Sequence, residues 1–131
     1  MVTGSRKLLK QEEGQSMVEF AMIVPIFLLM VAGMINIGII LFHYLNLNMT
    51  AQEASRLAGL GKTDTEISTY VKDHTTLTKF DKMSVTVSPT VRKSGDYVTV
   101  TLSYPIAEIT PIFDKLLSPY QLKAASTVRV E

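Results

Sequence analysis

The chain has 131 residues, of which 47% are hydrophobic, and a formal net charge of +1. This length accommodates one modest domain beside a membrane span, and the near-neutral charge without a basic block argues against nucleic-acid binding. Because the sequence contains no cysteine, disulfides, thiolate nucleophiles and cysteine-based zinc sites are excluded.

A junction between a short polar tip and a long apolar run opens the chain. Gly14 ends the tip, and Glu19 stands at the edge of the uncharged run Phe20–Phe42. A carboxylate at that depth is costly unless something pairs with it, which makes Glu19 a candidate functional residue. The alternative is a carboxylate at a helix start, favoured by the helix dipole and within reach of water.

The run Phe20–Phe42 predicts a transmembrane helix. A bilayer core about 30 Å thick needs about 20 apolar helical residues. A secretory signal peptide has a shorter apolar region, about 7–15 residues, followed closely by a small-residue cleavage site, and no Ala-x-Ala pattern follows here. The span is therefore predicted to be retained, with Pro25 kinking it.

Three basic residues in the N-terminal flank predict the orientation of this span. Arg6, Lys7 and Lys10 precede it, and Lys and Arg near a span favour the cytoplasmic side. The part of the chain after the span is therefore expected to lie outside the cytoplasm.

The helical pattern continues beyond the span into a segment rich in small residues. Two sets recur at intervals of four: Ala51, Ser55 and Gly59, and Ala54 and Ala58. They predict a broad helix face that lets another backbone approach closely. With Gly59 and Gly61 as helix stops, one helix is predicted over roughly Gln15 to Leu60. Its part outside the membrane must pack on the chain's own domain or on neighbouring subunits.

A short amphipathic helix is predicted next. Thr63 and Glu66 match a capping box. The residues Ile67, Tyr70, Val71, His74 and Leu77 then share one helical face.

The remaining segments alternate like strands. Runs at 83–91 and 98–104 flank the turn signal 93–96, which predicts an antiparallel hairpin, and the run 122–130 predicts a third strand. Thr110 and Pro111 would open a short helix between the last two strands. The predicted fold class is α+β: a long N-terminal transmembrane helix, then a small domain with a roughly three-stranded antiparallel sheet packed against helix.

The chain offers little that predicts chemistry. His43 and His74 are the only histidines, and the carboxylates lack any paired ligand spacing. There is no glycine-rich phosphate loop and no nucleophile elbow. We therefore predict no catalytic, metal or cofactor site, and no enzyme activity.

The residues from Glu13 to Pro25, EGQSMVEFAMIVP, and the later Ala51–Arg56, AQEASR, carry a family resemblance. Together they resemble the TadE-like family, pilin-like proteins of the tight-adherence (Flp-type) pilus system of bacteria. The similarity extends over Glu13 to Gly61. The resemblance implies a minor pilin, or pseudopilin, that passes through the inner membrane and is processed on its cytoplasmic side by a prepilin peptidase.

The same resemblance assigns roles to individual residues. Gly14 would precede the cut, and Gln15 would become the new N-terminus. Glu19 would then be the fifth mature residue and Phe20 the sixth, in an assembly motif that ends at Pro25. In a low-dielectric bundle, Glu19 could pair with the new amine of a neighbouring subunit and so set the register.

The resulting organisation has three parts. Residues 1–14 are a cytoplasmic leader, residues 15–61 a long helix that spans the membrane over about 20–42, and residues 62–131 an exported α+β domain. Expected partners are other pilin subunits, the prepilin peptidase, the inner-membrane assembly platform and the lipid bilayer, with no cofactor. The alternative is an uncleaved single-pass membrane anchor whose exported domain binds a protein partner.

Overall fold

The computed structural model describes residues 2–77, 79–110 and 112–131, with the backbone alone over 2–11. The chain divides into two compact units, Met1–Ile37 and Gly38–Glu131. Helix α1, Val2–Gly59, runs through both. In the second unit follow α2 (Asp64–His74), β1 (Ser84–Ser88), β2 (Tyr97–Pro105), α3 (Asp114–Leu117) and β3 (Gln121–Arg129), with 3₁₀ turns at Phe80–Lys82 and Ile106–Glu108.

The first unit consists of the N-terminal part of α1, which continues through Pro25. Its large apolar side chains are exposed; Phe20, for example, is 70% exposed and Met30 66%. The helix Glu12–Gly59 is the one helix in the described part of the chain that is long and apolar enough to cross a membrane. The most apolar part of this helix buries little, unlike the core helix of a soluble domain, and it suggests a single-pass membrane anchor.

Helix α1 begins at Val2, well before the predicted start at Gln15, and ends at Gly59. Its end is a Schellman motif. Gly61 adopts a φ of +82° and donates its N–H to the Ala58 carbonyl at 3.1 Å, while the Lys62 N–H reaches the Leu57 carbonyl at 3.2 Å. Glycine is the residue that tolerates this left-handed conformation, so Gly61 ends the helix as the sequence predicts.

The second unit contains a three-stranded antiparallel meander in the order β1-β2-β3. In the central strand β2, Val98, Val100, Leu102 and Tyr104 are buried and alternate with partly exposed residues. Val100 lies opposite Val87 of β1 and Ser126 of β3. The predicted hairpin turn is confirmed, with Gly95 at a φ of +94° and the Asp96 N–H bonded to the Lys93 carbonyl at 3.0 Å.

Two helices cover the apolar face of this sheet. The fully buried core side chains are Leu47, Ala51, Ala54, Ala58, Ile67, Val71, Val98, Val100 and Leu102. They come from α1, α2 and β2, so the predicted α+β domain, with a sheet packed against helix, is confirmed.

Several element boundaries differ from the sequence prediction. Strand β1 ends at Ser88, since Pro89 lacks an N–H to continue the ladder, and Val91 is 75% exposed. Helix α2 ends at His74, where Thr75 becomes extended, although Leu77 beyond it is still buried. The short helix α3 starts at Asp114 rather than at Thr110, and Pro111 lies outside the described residues.

Candidate functional site

The predicted processing site lies inside α1. Gly14 and Gln15 both have helical backbone, and a Cβ added at Gly14 would meet no atom within 4 Å. The Gln15 side-chain amide donates a hydrogen bond to Oε1 of Glu19 at 3.3 Å. Both side chains are exposed, one helical turn apart. Glu19 is thus bonded to a neutral group of its own chain.

The other residues of the predicted assembly motif are also exposed. Phe20 and Pro25 both present their side chains outward from α1. No ion pair among the described side chains involves Glu19. The side chains of Arg6, Lys7 and Lys10, from which the orientation was predicted, lie outside the described residues.

The small-residue face of α1 is buried within the second unit. Ala51, Ala54 and Ala58 are 0% exposed and Ser55 is 3% exposed. The Ser55 hydroxyl lies 2.7 Å from the carbonyl oxygen of Gln52 and 2.8 Å from Oγ of Ser126 on β3. The Ser55 hydroxyl can donate to the carbonyl and accept from the Ser126 hydroxyl, so this buried group is satisfied.

Gly59 extends this close approach to the end of the helix. An added Cβ there would lie 3.0 Å from Cγ1 of Val128 and 3.2 Å from the carbonyl oxygen of Arg129. The Gly59 carbonyl also accepts a hydrogen bond from the N–H of Glu131 at 3.1 Å. The small residues therefore let the chain's own strand β3 lie against α1, which leaves this face unavailable to a second subunit.

A different face of α1 is exposed in the second unit. Leu41, Leu45 and Met49 recur at intervals of four and are 53%, 55% and 69% exposed. An apolar stripe at this spacing forms one continuous helix surface. The spacing of these three residues is visible in the sequence, but it does not indicate which helix face stays exposed.

An arginine that the sequence does not single out joins two loops of the second unit. Arg92 forms an ion pair with Asp64, and its side chain is only 10% exposed. Its Nη1 donates to the carbonyl of Lys62 at 2.9 Å, and its Nε to that of Pro89 at 3.4 Å. No local pattern marks it, because Lys62 and Asp64, which it joins to its own loop, are distant in sequence.

Two carboxylates, the exposed Glu66 and the half-buried Glu108, have charge-stabilising partners. The backbone N–H of Thr63 bonds Glu66 at 2.8 Å within the predicted capping box, and this bond holds the pKa of Glu66 below its ordinary value. Glu108 accepts a hydrogen bond from Lys79 at 2.6 Å, which lowers the pKa of Glu108 and raises that of Lys79. The first arrangement stabilises the start of α2, and the second joins two segments that are distant in sequence.

Comparison with known families identifies one similarity. The family model of TadE-like proteins matches residues 14–56. The match begins at the candidate processing residue Gly14 and ends at Arg56, within the buried helix face. No curated protein and no solved structure gives a significant match to the chain.

Proposed function

From the match of residues 14–56 to TadE-like proteins, we propose that the chain is a minor pilin that takes part in assembly of a tight-adherence type IV pilus. One observation carries the proposal: the matched region starts at Gly14 and continues through the exposed apolar helix. TadE-like proteins are structural rather than enzymatic, so the chain acts by packing and assembly. Its partners are other pilin subunits.

The chain is anchored in the inner membrane by residues 20–42, with its N-terminus in the cytoplasm and residues 62–131 outside. The exposure of the apolar side chains along α1 supports the anchor. Arg6, Lys7 and Lys10 support the orientation. Residues 1–14 are the leader of this precursor and remain on the side of the prepilin peptidase.

The peptidase cuts after Gly14. In a helix the carbonyl of each residue accepts a hydrogen bond from the N–H four residues later. The peptide bond after Gly14 can therefore be attacked only after the helix opens locally. Glycine makes a helix interior less stable by about 1 kcal/mol than alanine does, which favours opening at Gly14. The absence of any neighbour within 4 Å of a Cβ at Gly14 supports access to this bond.

The cut gives Glu19 a charged partner. In the uncut chain, Glu19 is bonded only to the neutral Gln15 side chain. After the cut, Gln15 carries a free α-amine, and Glu19 pairs with the α-amine of Gln15 in a neighbouring subunit. Removing one partner of such a pair in a low-dielectric bundle leaves an uncompensated charge, at a cost of about 3–5 kcal/mol. Neighbouring helices contact the stripe of Leu41, Leu45 and Met49, because the small-residue face is already covered by β3.

The test replaces one carboxylate at a time in cells that depend on this chain for pili. Glu13 and Glu19 are both exposed on α1, but only Glu19 would remain after cleavage. We expect Glu19→Gln to abolish surface pili while the chain still reaches the membrane, and Glu13→Gln to leave pili unchanged. Normal pili with Glu19→Gln would favour the alternative, an uncleaved anchor whose exported domain binds a protein partner.

A further inference from the structure

The segment that connects β2 to β3 carries exposed apolar side chains that the proposed assembly role does not use. Ile112 is 78% exposed, Leu116 72% and Tyr120 59%. They lie in and around the short helix α3, within residues 106–120, here called the β2–β3 connector. Large apolar side chains that are exposed together within one short segment of a small domain mark a candidate contact surface.

The position of the connector along α1 follows from two contacts. Ser55 meets Ser126 through their hydroxyls at 2.8 Å, and Gly59 meets Val128 one turn later. A later residue of α1 contacts a later residue of β3, so α1 and β3 run in the same direction. The strand from Gln121 to Ser126 is about 17 Å long. A helix needs about 11 residues to cover the same distance, so Gln121 lies at the level of the residue about 11 positions before Ser55.

The second contact gives the same level. From Val128 back to Gln121 the strand rises about 23 Å, or about 15 helical residues counted back from Gly59. Both estimates put Gln121 beside Tyr44 of α1. Because Pro105 pairs with Gln121, and the Ile106 N–H bonds the Tyr120 carbonyl at 3.2 Å, the connector lies at or beyond this level.

Independent contacts hold the start of the connector there. The N–H of Thr76 bonds Oδ1 of Asn46 at 3.4 Å, and Lys79, three residues on, bonds Glu108 of the connector at 2.6 Å. Ile106 and Ile109 of the connector pack on the same core as Ile40 of α1. The connector therefore lies at the level of α1 where the apolar run ends, at Phe42.

We propose that residues 112–120 of the connector lie in the interfacial layer of the bilayer, beside the emerging helix, and form a second attachment of the exported domain to the lipid surface. The inference rests on the proposed membrane anchoring by α1. Tyrosine suits the headgroup region, because its ring is apolar and its hydroxyl polar. The exposed Lys115 and Lys123 can reach lipid phosphates, and their alkyl chains can lie along the apolar layer.

This arrangement continues an existing membrane contact rather than creating an isolated one. The exposed Phe42 of α1 ends the proposed anchor next to the level at which the connector lies. An exposed apolar segment next to a span is already confined close to the lipid, so its burial in the interface requires no search for a partner. The bilayer is therefore the occupant that the position of the segment favours over a soluble protein.

The test uses the full chain in vesicles of zwitterionic and anionic phospholipid. The sequence contains no cysteine, so single-cysteine variants each carry one environment-sensitive fluorophore. Leu116→Cys probes the connector. Val91→Cys, in the β1–β2 loop at the other end of the sheet, is a matched exposed control, since Val91 is 75% exposed. Phe42→Cys reports the anchor itself.

We expect the label at position 116 to emit at shorter wavelength than the label at 91. Lipids with a nitroxide near the headgroup should quench it at least half as strongly as the label at 42. Hydrogen exchange of the unlabelled chain should show residues 112–120 protected in vesicles relative to the β1–β2 loop. This second measurement does not depend on the folding of any variant.

Three results would overturn the inference, and they are distinguishable. If the label at 42 is quenched but the label at 116 behaves like that at 91, the anchor stands and the connector is free of lipid. If shielding at 116 grows with protein density at constant lipid, a second copy covers the segment. If the label at 42 is not quenched, the anchoring fails, and the proposed function and this inference fail with it.

Discussion

Truncation of Leu47 should destabilise the second unit far more than truncation of its neighbour Leu45. Leu47 is 0% exposed and belongs to the core, whereas Leu45 on the same helix is 55% exposed. Leu→Ala at a buried site removes packed methyl groups and leaves a cavity, which costs about 2–5 kcal/mol. An exposed substitution usually changes stability by less than about 0.5 kcal/mol.

Thermal unfolding of the full chain in detergent micelles, followed by near-ultraviolet circular dichroism, measures this difference. In a domain of about 60–100 residues, 1 kcal/mol corresponds to about 4–8 °C in Tm. We therefore expect Leu47→Ala to lower Tm by at least about 8 °C, and Leu45→Ala by no more than about 4 °C. Equal shifts would refute the conclusion that α1 completes the core of the second unit.

Three further predictions concern the close contacts of this domain. Gly59→Ala should destabilise it by up to about 2 kcal/mol, because the clash with β3 costs about 1–3 kcal/mol against about 1 kcal/mol gained in helix propensity. Arg92→Met should lower stability by about 1 kcal/mol, since it removes an ion pair with the half-exposed Asp64 and hydrogen bonds to two exposed carbonyls. Acidification through the lowered pKa values of Glu66 and Glu108 should lower Tm, because stabilisation present above their ordinary value of 4.5 disappears as they are protonated.

Each of these predictions has a control and a contrary outcome, all read as Tm by the same assay. Gly38→Ala, in the same unit, is the control for Gly59→Ala, since a Cβ at Gly38 meets nothing within 4 Å. A higher Tm for Gly59→Ala would contradict the close approach of β3. Lys93→Met, at an exposed position, is the control for Arg92→Met. An equal decrease in Tm for both variants would mean that the loss of a positive charge alone explains the effect. For acid, Glu66→Gln with Glu108→Gln should flatten the profile of Tm between about pH 5 and 3, and an unchanged profile would exclude these two groups.

The sequence predicts the parts of the fold that local chemistry determines. Thr63 and Glu66 form the expected capping box, and Gly61 adopts the left-handed conformation that ends α1. The alternation in β2 follows directly from burial of one sheet face. In each case the cause lies within a few residues of its effect, so a single sequence carries the whole signal.

Features that depend on distant contacts could not be predicted in the same way. Spacing alone left open whether the small-residue face packs on the chain's own domain or on another subunit, and the contact of Ser55 with Ser126 is what assigns it to β3. The partners of Arg92 and Lys79 lie about 30 residues away along the chain, at Lys62 and Glu108. On our proposal, Glu19 forms its ion pair only with a neighbouring subunit. Neither the sequence nor the structure of a single chain can therefore determine that role.

The N-terminal residue of the chain recovered from bacterial membranes tests the proposed processing most directly. Intact-mass measurement would be made on cells with and without the prepilin peptidase, and on a variant in which Gly14 is replaced by a bulky residue. We predict a chain that starts at Gln15 only when the peptidase and Gly14 are both present. Recovery of the uncut N-terminus alone, in cells that contain the peptidase, would contradict the proposal.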